Sequence, residues 1–147
     1  MSLDINLFVN GIDDSIIPKW IDELNTLGMV CEVHPEFSFN DHKGFLPFKV
    51  NVKDKSHNEL LNENYLTGFE FYIDDFRLED NIKPPKKQTL LQRLLRKPKE
   101  ETYFMSPEVD GSLSPMRKVI TFNWGFSDTF EFRMARLASV TLSKLVN

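Results

Sequence analysis

Val119-Ile120-Thr121-Phe122-Asn123-Trp124, then Gly125-Phe126-Ser127-Asp128, then Thr129-Phe130-Glu131-Phe132-Arg133-Met134-Ala135-Arg136-Leu137-Ala138 form one continuous stretch of the chain. A β-branched and aromatic run predicts a strand, a Gly/Ser/Asp cluster a turn, and the remainder a long helix. Phe130, Met134, Leu137, Ala138, Thr141 and Leu145 make one apolar stripe. Phe132, Ala135, Leu142 and Val146 make a second, so only Arg133, Arg136 and Lys144 share a narrow polar strip. A helix this apolar around its circumference must be largely buried, and the adjoining strand implies a sheet beneath it. The helix starts at Ser127 or Asp128; with Asp128 as N-cap, Glu131 has the capping-box spacing.

Strand–Gly–x–Ser–helix also resembles a nucleophile elbow, but Thr129 stands where that motif has a second small residue. No βα alternation surrounds it, and no histidine follows Ser127. Ser127 therefore reads as a capping residue.

Upstream, Leu3 to Val9 predicts a first strand, apolar enough to be central. Asp13-Asp14-Ser15 caps a helix with Pro18 in its first turn, and Gly28 ends it. Ile16, Ile17, Trp20, Ile21, Leu24 and Leu27 line one side of that helix. Cys31, Val33, Phe37 and Phe39 alternate with Glu32, His34, Glu36 and Ser38, which predicts a strand with Pro35 at an edge or bulge. After the turn residues Asn40 to Gly44 comes a return strand with Leu46, Phe48, Val50 and Val52 inward. Asp54 to Leu66 reads as a polar loop with a helical turn, and Gly68 to Phe76 as a further strand. Residues 77–117 break the pattern with Pro and Lys, forming a basic insertion with one short helix from about Gln88 to Lys97. The order β-α-β-β-β-(insertion)-β-α gives a single α+β domain over 1–147: a mainly antiparallel sheet with two principal helices on one face.

A chain of 147 residues with 41% hydrophobic and 27% charged residues can bury its own core, and 13 Phe make that core aromatic. Cys31 is the single cysteine, which excludes an internal disulfide and a Cys-rich zinc site. No leader-like N-terminus and no membrane-length apolar run occurs, so a cytoplasmic protein is expected. The net charge of −4 is uneven. Residues 1–76 carry 14 acids against five Lys/Arg, a net of −9, while 77–118 carry 10 Lys/Arg against six acids, a net of +4. The acidic half favours a basic protein over nucleic acid as partner.

Glu32, His34 and Glu36 share a strand face, and Glu70, Tyr72 and Asp74 repeat the theme of an amphipathic residue between carboxylates. These six are the candidate partner-binding residues. Neighbours ~6–7 Å apart along a strand are too splayed to form a metal site unless His42, His57 or Asp74 converges on them, and a solvated face is the plainer reading. Adjacent strand residues face opposite ways, so neither Asp13-Asp14 nor Asp74-Asp75 is automatically an acid/base dyad, and Asp13-Asp14 is better explained by helix capping. Leu90, Leu91, Leu94 and Leu95, flanked by Lys86, Lys87, Arg96 and Lys97, make a short basic amphipathic helix. It suits docking on its own domain, self-association, or contact with a membrane surface. No phosphate loop, dinucleotide fingerprint, His-Glu-x-x-His or Cys-x-x-Cys occurs, so no catalytic residues, cofactor or metal are assigned.

Ile120 to Gly125 leading into Asp128 to Ala138 resembles the ending of small bacterial immunity proteins that accompany polymorphic or contact-dependent toxins. Such proteins close with an aromatic strand, a Glu/Arg turn and an alanine-rich helix. The resemblance implies a cytoplasmic, non-enzymatic protein that blocks a cognate toxin, here a basic domain. A self-associating or membrane-contacting module is the alternative.

Overall fold

A computed structural model describes residues 2–55, 58–81, 90–95, 105–125 and 129–146. Its strands are β1 (Ser2–Val9), β2 (Met29–Val33), β3 (Gly44–Val52), β4 (Asn64–Asp75) and β5 (Lys118–Gly125). Its helices are α1 (Ile17–Thr26), α2 (Leu78–Asn81), α3 (Leu90–Leu94), α4 (Pro107–Leu113) and α5 (Thr129–Val146). The strands form one sheet in the order β1-β5-β4-β3-β2, every pair antiparallel. α1 and α5 pack on each other and on the same face of that sheet. The fold is α+β, in the expected element order.

Local chemistry explains the joints. Asp13 accepts the Ser15 N–H at 2.8 Å and starts a 3-10 turn, from which α1 continues with Pro18 in its first turn. Gly28 ends the helix segment at φ +82°, a conformation that side chains disfavour. The core lies between the sheet and the two helices and is aromatic: Phe48, Phe69, Phe71 and Phe122 are fully buried beneath Trp20. Trp20 joins the helices as well as filling space. Its Nε1–H donates to the Ala138 carbonyl at 2.9 Å and to Thr141 Oγ1 at 3.1 Å.

Four expectations need correction. β1 is an edge strand rather than a central one; its apolar residues alternate, and only one of its sides finds a partner. β2 stops at Val33, because the chain turns at Pro35, with Phe37 N–H donating to the His34 carbonyl at 2.9 Å. Residues 34–43 instead form a loop that folds Phe37 and Phe39 back onto the core. Phe39 N–H donates to Asp14 Oδ1 at 2.8 Å, and both rings sit against Trp20 and Phe71. β4 begins at Asn64, earlier than its apolar pattern suggests, since Asn64 to Thr67 pair with Phe48 to Asn51. The insertion holds three short helices among its described residues rather than one. The caps assigned to Ser127 and Asp128, and the helix ends at Gln88 and Lys97, lie outside the described residues.

Candidate functional site

Both long helices occupy one face of the sheet, so the opposite face is left to alternate residues of all five strands. Its composition follows from the register. One row runs Asp4, Asn123, Glu70, Phe45 and the next runs Asn6, Thr121, Tyr72. A third runs Phe8, Val119, Asp74, and at the far side Glu32, Lys49 and Leu66 stand side by side. At the Phe8 end the insertion closes over the face: the Phe8 and Phe76 rings meet edge-on at 4.8 Å, and Leu78, Met105 and Leu113 line the same recess.

The six candidate residues are only partly brought together. Glu70, Tyr72 and Asp74 do share one face of β4. The Tyr72 hydroxyl donates to Glu70 Oε2 at 2.6 Å, and that bond raises the phenol pKa by holding its proton. Glu32 lies on the same sheet face, but two strands away and level with Leu66 rather than Glu70, about 10 Å across the ladder and ~13 Å along it. Its neighbour there is Lys49, so the acidic theme is locally neutralised. His34 and Glu36 lie beyond the end of β2; His34 still lines a groove with Glu32 and Lys49, whereas Glu36 falls in the turn. Glu36 N–H donates to His34 Nδ1 at 3.1 Å within the turn. The expected row Glu32, His34, Glu36 is therefore broken at Glu36, by the turn that ends β2.

The same face also carries exposed apolar residues. Phe45 is 50% exposed, Leu66 76% and Val30 41%, all on the helix-free face. Leu66 stands between two grooves of about 510 and 430 Å³, which share Glu32, Lys49 and Leu66; Pro47 and His34 line the smaller one. The Phe45 ring leans over Gly68, where a Cβ would stand 2.6 Å from its Cζ and overlap the Leu46 carbonyl oxygen. A glycine is what lets the aromatic ring lie flat on the sheet. The signal for these residues was in the parity of the sequence: Phe45, Pro47 and Leu66 fall on outward positions, in phase with Lys49 and Glu70, where an apolar residue has no core to enter.

Elsewhere, Leu90, Leu91, Leu94 and Leu95 of the α3 segment are 79%, 71%, 82% and 63% exposed, so they do not dock on the described part of the domain. A further recess of about 500 Å³ lies beside α5, lined by Leu60, Phe130, Phe132, Arg136 and Val140. Arg133 at its rim is paired with Asp54. His42 packs its ring on Phe37 and Phe71 and lies 3.1 Å from the Gly44 carbonyl, a structural role. Among the described residues no three His, Cys, Asp or Glu side chains gather as a metal site. No helix among them is long and apolar enough to cross a membrane. Cys31 is buried, and its thiol is pushed up to about 12 by loss of water. Compared with family models, curated proteins and solved structures, the chain matches none.

Proposed function

We propose that the helix-free sheet face is a protein-binding surface, and that the chain is an immunity-like neutraliser of a basic bacterial toxin domain. The observation that carries this reading is Phe45: a half-exposed aromatic ring, supported from below by Gly68 and directly beside Glu70. An aromatic anchor with a polar, charged surround is the arrangement found at interface hot spots. Leu66, four residues along the same face of β4 from Glu70, adds a second apolar contact, and Glu70 and Asp74, with Glu32 at the far side, supply carboxylates for a basic partner. Tyr72 is fixed by its hydrogen bond to Glu70, so little side-chain freedom is lost when a partner orders it.

The test is affinity capture from the source organism's lysate with mass-spectrometric identification, followed by co-expression of the recovered domain. Wild-type protein should retain a basic partner and protect cells from it. Phe45→Ala should weaken binding by roughly 30-fold, the cost of a hot-spot residue. Neutralising Glu32, Glu70 and Asp74 together should slow association and flatten its salt dependence. Affinity unchanged in both variants would sink the reading.

The exposed leucines favour a second reading, in which α3 self-associates or meets a membrane surface. Replacing Leu90, Leu91, Leu94 and Leu95 with Ser should then abolish dimerisation or binding to anionic vesicles. A parent protein that neither dimerises nor binds vesicles refutes it.

A further inference from the structure

We infer that β1 is a docking edge for β1 of a second copy, the two strands pairing antiparallel about a two-fold axis and joining two five-stranded sheets into one. The two edges of this sheet are treated differently. β2 has five residues, ends two positions before Pro35, and its Cys31 N–H is taken by Asn25 Oδ1 at 2.9 Å. The side chains it turns to the core, Met29 and Cys31, are 0% and 3% exposed. Such shortening and covering are what keep an edge from recruiting another strand.

Among the described residues β1 has none of these devices. All eight of its residues pair with β5 in an unbroken register, and the strand contains no Pro, Gly, Lys or Arg. Every second residue of an edge strand turns its N–H and C=O outward. Among the described residues the only bond to the β1 main chain from outside the ladder is Arg117 N–H to the Val9 carbonyl, at the strand's end. The helix side of this edge is also incompletely covered. Leu3 is 39% exposed, and Ile5 and Leu7 are half-buried. A neighbouring strand would supply both the missing main-chain partners and the missing apolar cover.

The occupant follows from the strand's own pattern. Only registers that oppose residues of like parity keep Leu3, Ile5 and Leu7 on the core side of a joined sheet. Centred on Asp4, a two-fold pairing sets carboxylate against carboxylate. Centred on Asn6, it sets Asp4 against Phe8. Centred on Ile5, it sets Ile5 against Ile5, Leu3 against Leu7 and Asp4 against Asn6. Asn6 already donates to Asp4 within the strand at 3.1 Å. The Ile5-centred register is therefore self-complementary on both faces, and a second copy of this chain fits it.

Sedimentation of the full chain over a concentration series tests this. Wild type should dimerise reversibly. N6D keeps an acceptor for the Thr121 hydroxyl, which now bonds Asn6 Oδ1 at 2.8 Å, yet puts two carboxylate pairs across the two-fold. Association should weaken roughly tenfold, and the swap D4N/N6D should restore it. Amide exchange along residues 2–8 should slow as concentration rises, while replacing Leu90 and Leu94 by Ser leaves the dimer intact. A protein that stays monomeric up to about 1 mM, a dimer indifferent to N6D, or a dimer lost with the leucines would each overturn the inference. Partner capture through Phe45 does not depend on β1, so it should survive N6D.

Discussion

Cys31 and Gly68 show what single positions contribute. The Cys31 thiol faces the core at 3% exposure and ionises only near pH 12, against 9.0 for an ordinary thiol. Between those values the unfolded chain loses a proton that the folded chain keeps. Stability from this group is thus fully present below about pH 9 and falls as pH rises toward 12, by at most ~1.4 kcal/mol per pH unit. Denaturant titrations of wild type and Cys31→Ala should run parallel below pH 9 and converge above it. A thiol reagent should meanwhile react only with unfolded protein. Curves that stay parallel to pH 11 would remove the buried thiol from the account. At Gly68 the constraint is backbone contact: a methyl group would collide with the Leu46 carbonyl and the Phe45 ring together. Gly68→Ala should cost about 1–3 kcal/mol, as overpacking does, and should displace Phe45, so that stability and partner affinity fall together.

Between elements, the strongest single joint is Trp20, which ties α1 to α5 through two hydrogen bonds while its ring lies among Phe37, Phe39, Phe48 and Phe71. Trp20→Phe keeps an aromatic ring but forfeits the donor and leaves a void. A loss of about 2–3 kcal/mol is expected in equilibrium unfolding, with Thr141→Val costing less, because Val leaves no void and the Trp20 Nε1–H keeps its bond to the Ala138 carbonyl. A Trp20→Phe protein as stable as wild type would show that the bonds contribute nothing net. The sequence announced this layer clearly, because the 3.6-residue periods of α1 and α5 and the alternation of β3 are long and regular. It was less explicit at element ends. Asn64 to Thr67 join β4 through main-chain pairing that their polar side chains do not advertise, and β1 reads as central because alternation cannot say how many neighbours a strand has. The proposed binding face was half legible: Glu70, Tyr72 and Asp74 follow from parity. Glu36 is lost to the turn at Pro35, and Phe45 and Leu66 are ordinary β-formers whose exposure only the register reveals.

For the whole molecule, the basic insertion should be separable from the acidic domain that carries it. Its two ends leave the sheet side by side. Asp75 pairs with Lys118 in the ladder and through a 2.6 Å ion pair that lowers the Asp75 pKa, and Phe76 N–H donates to the Arg117 carbonyl at 2.8 Å. β4 and β5 therefore already meet as a hairpin, and residues 77–116 emerge from its tip. Replacing them with a four-residue turn should recover about 2 kcal/mol of loop-closure entropy. Against this stands the loss of Leu78, Met105 and Leu113 from the recess beside Phe8. The two terms are of similar size, so the shortened protein should fold, with a far-UV spectrum retaining sheet and a melting temperature within about 10 °C of wild type. Its function then separates the readings. Phe45, Leu66, Glu70 and Tyr72 all remain, so toxin binding through the sheet face should persist, whereas self-association or vesicle binding through α3 must vanish. The net charge also changes. Residues 77–116 carry eight Lys/Arg and six acids, so their removal shifts the chain from −4 to −6 before the new turn is counted. A basic partner should consequently associate slightly faster with the shortened protein at low salt. Loss of partner binding in a shortened protein that still folds would instead move the binding site into the insertion.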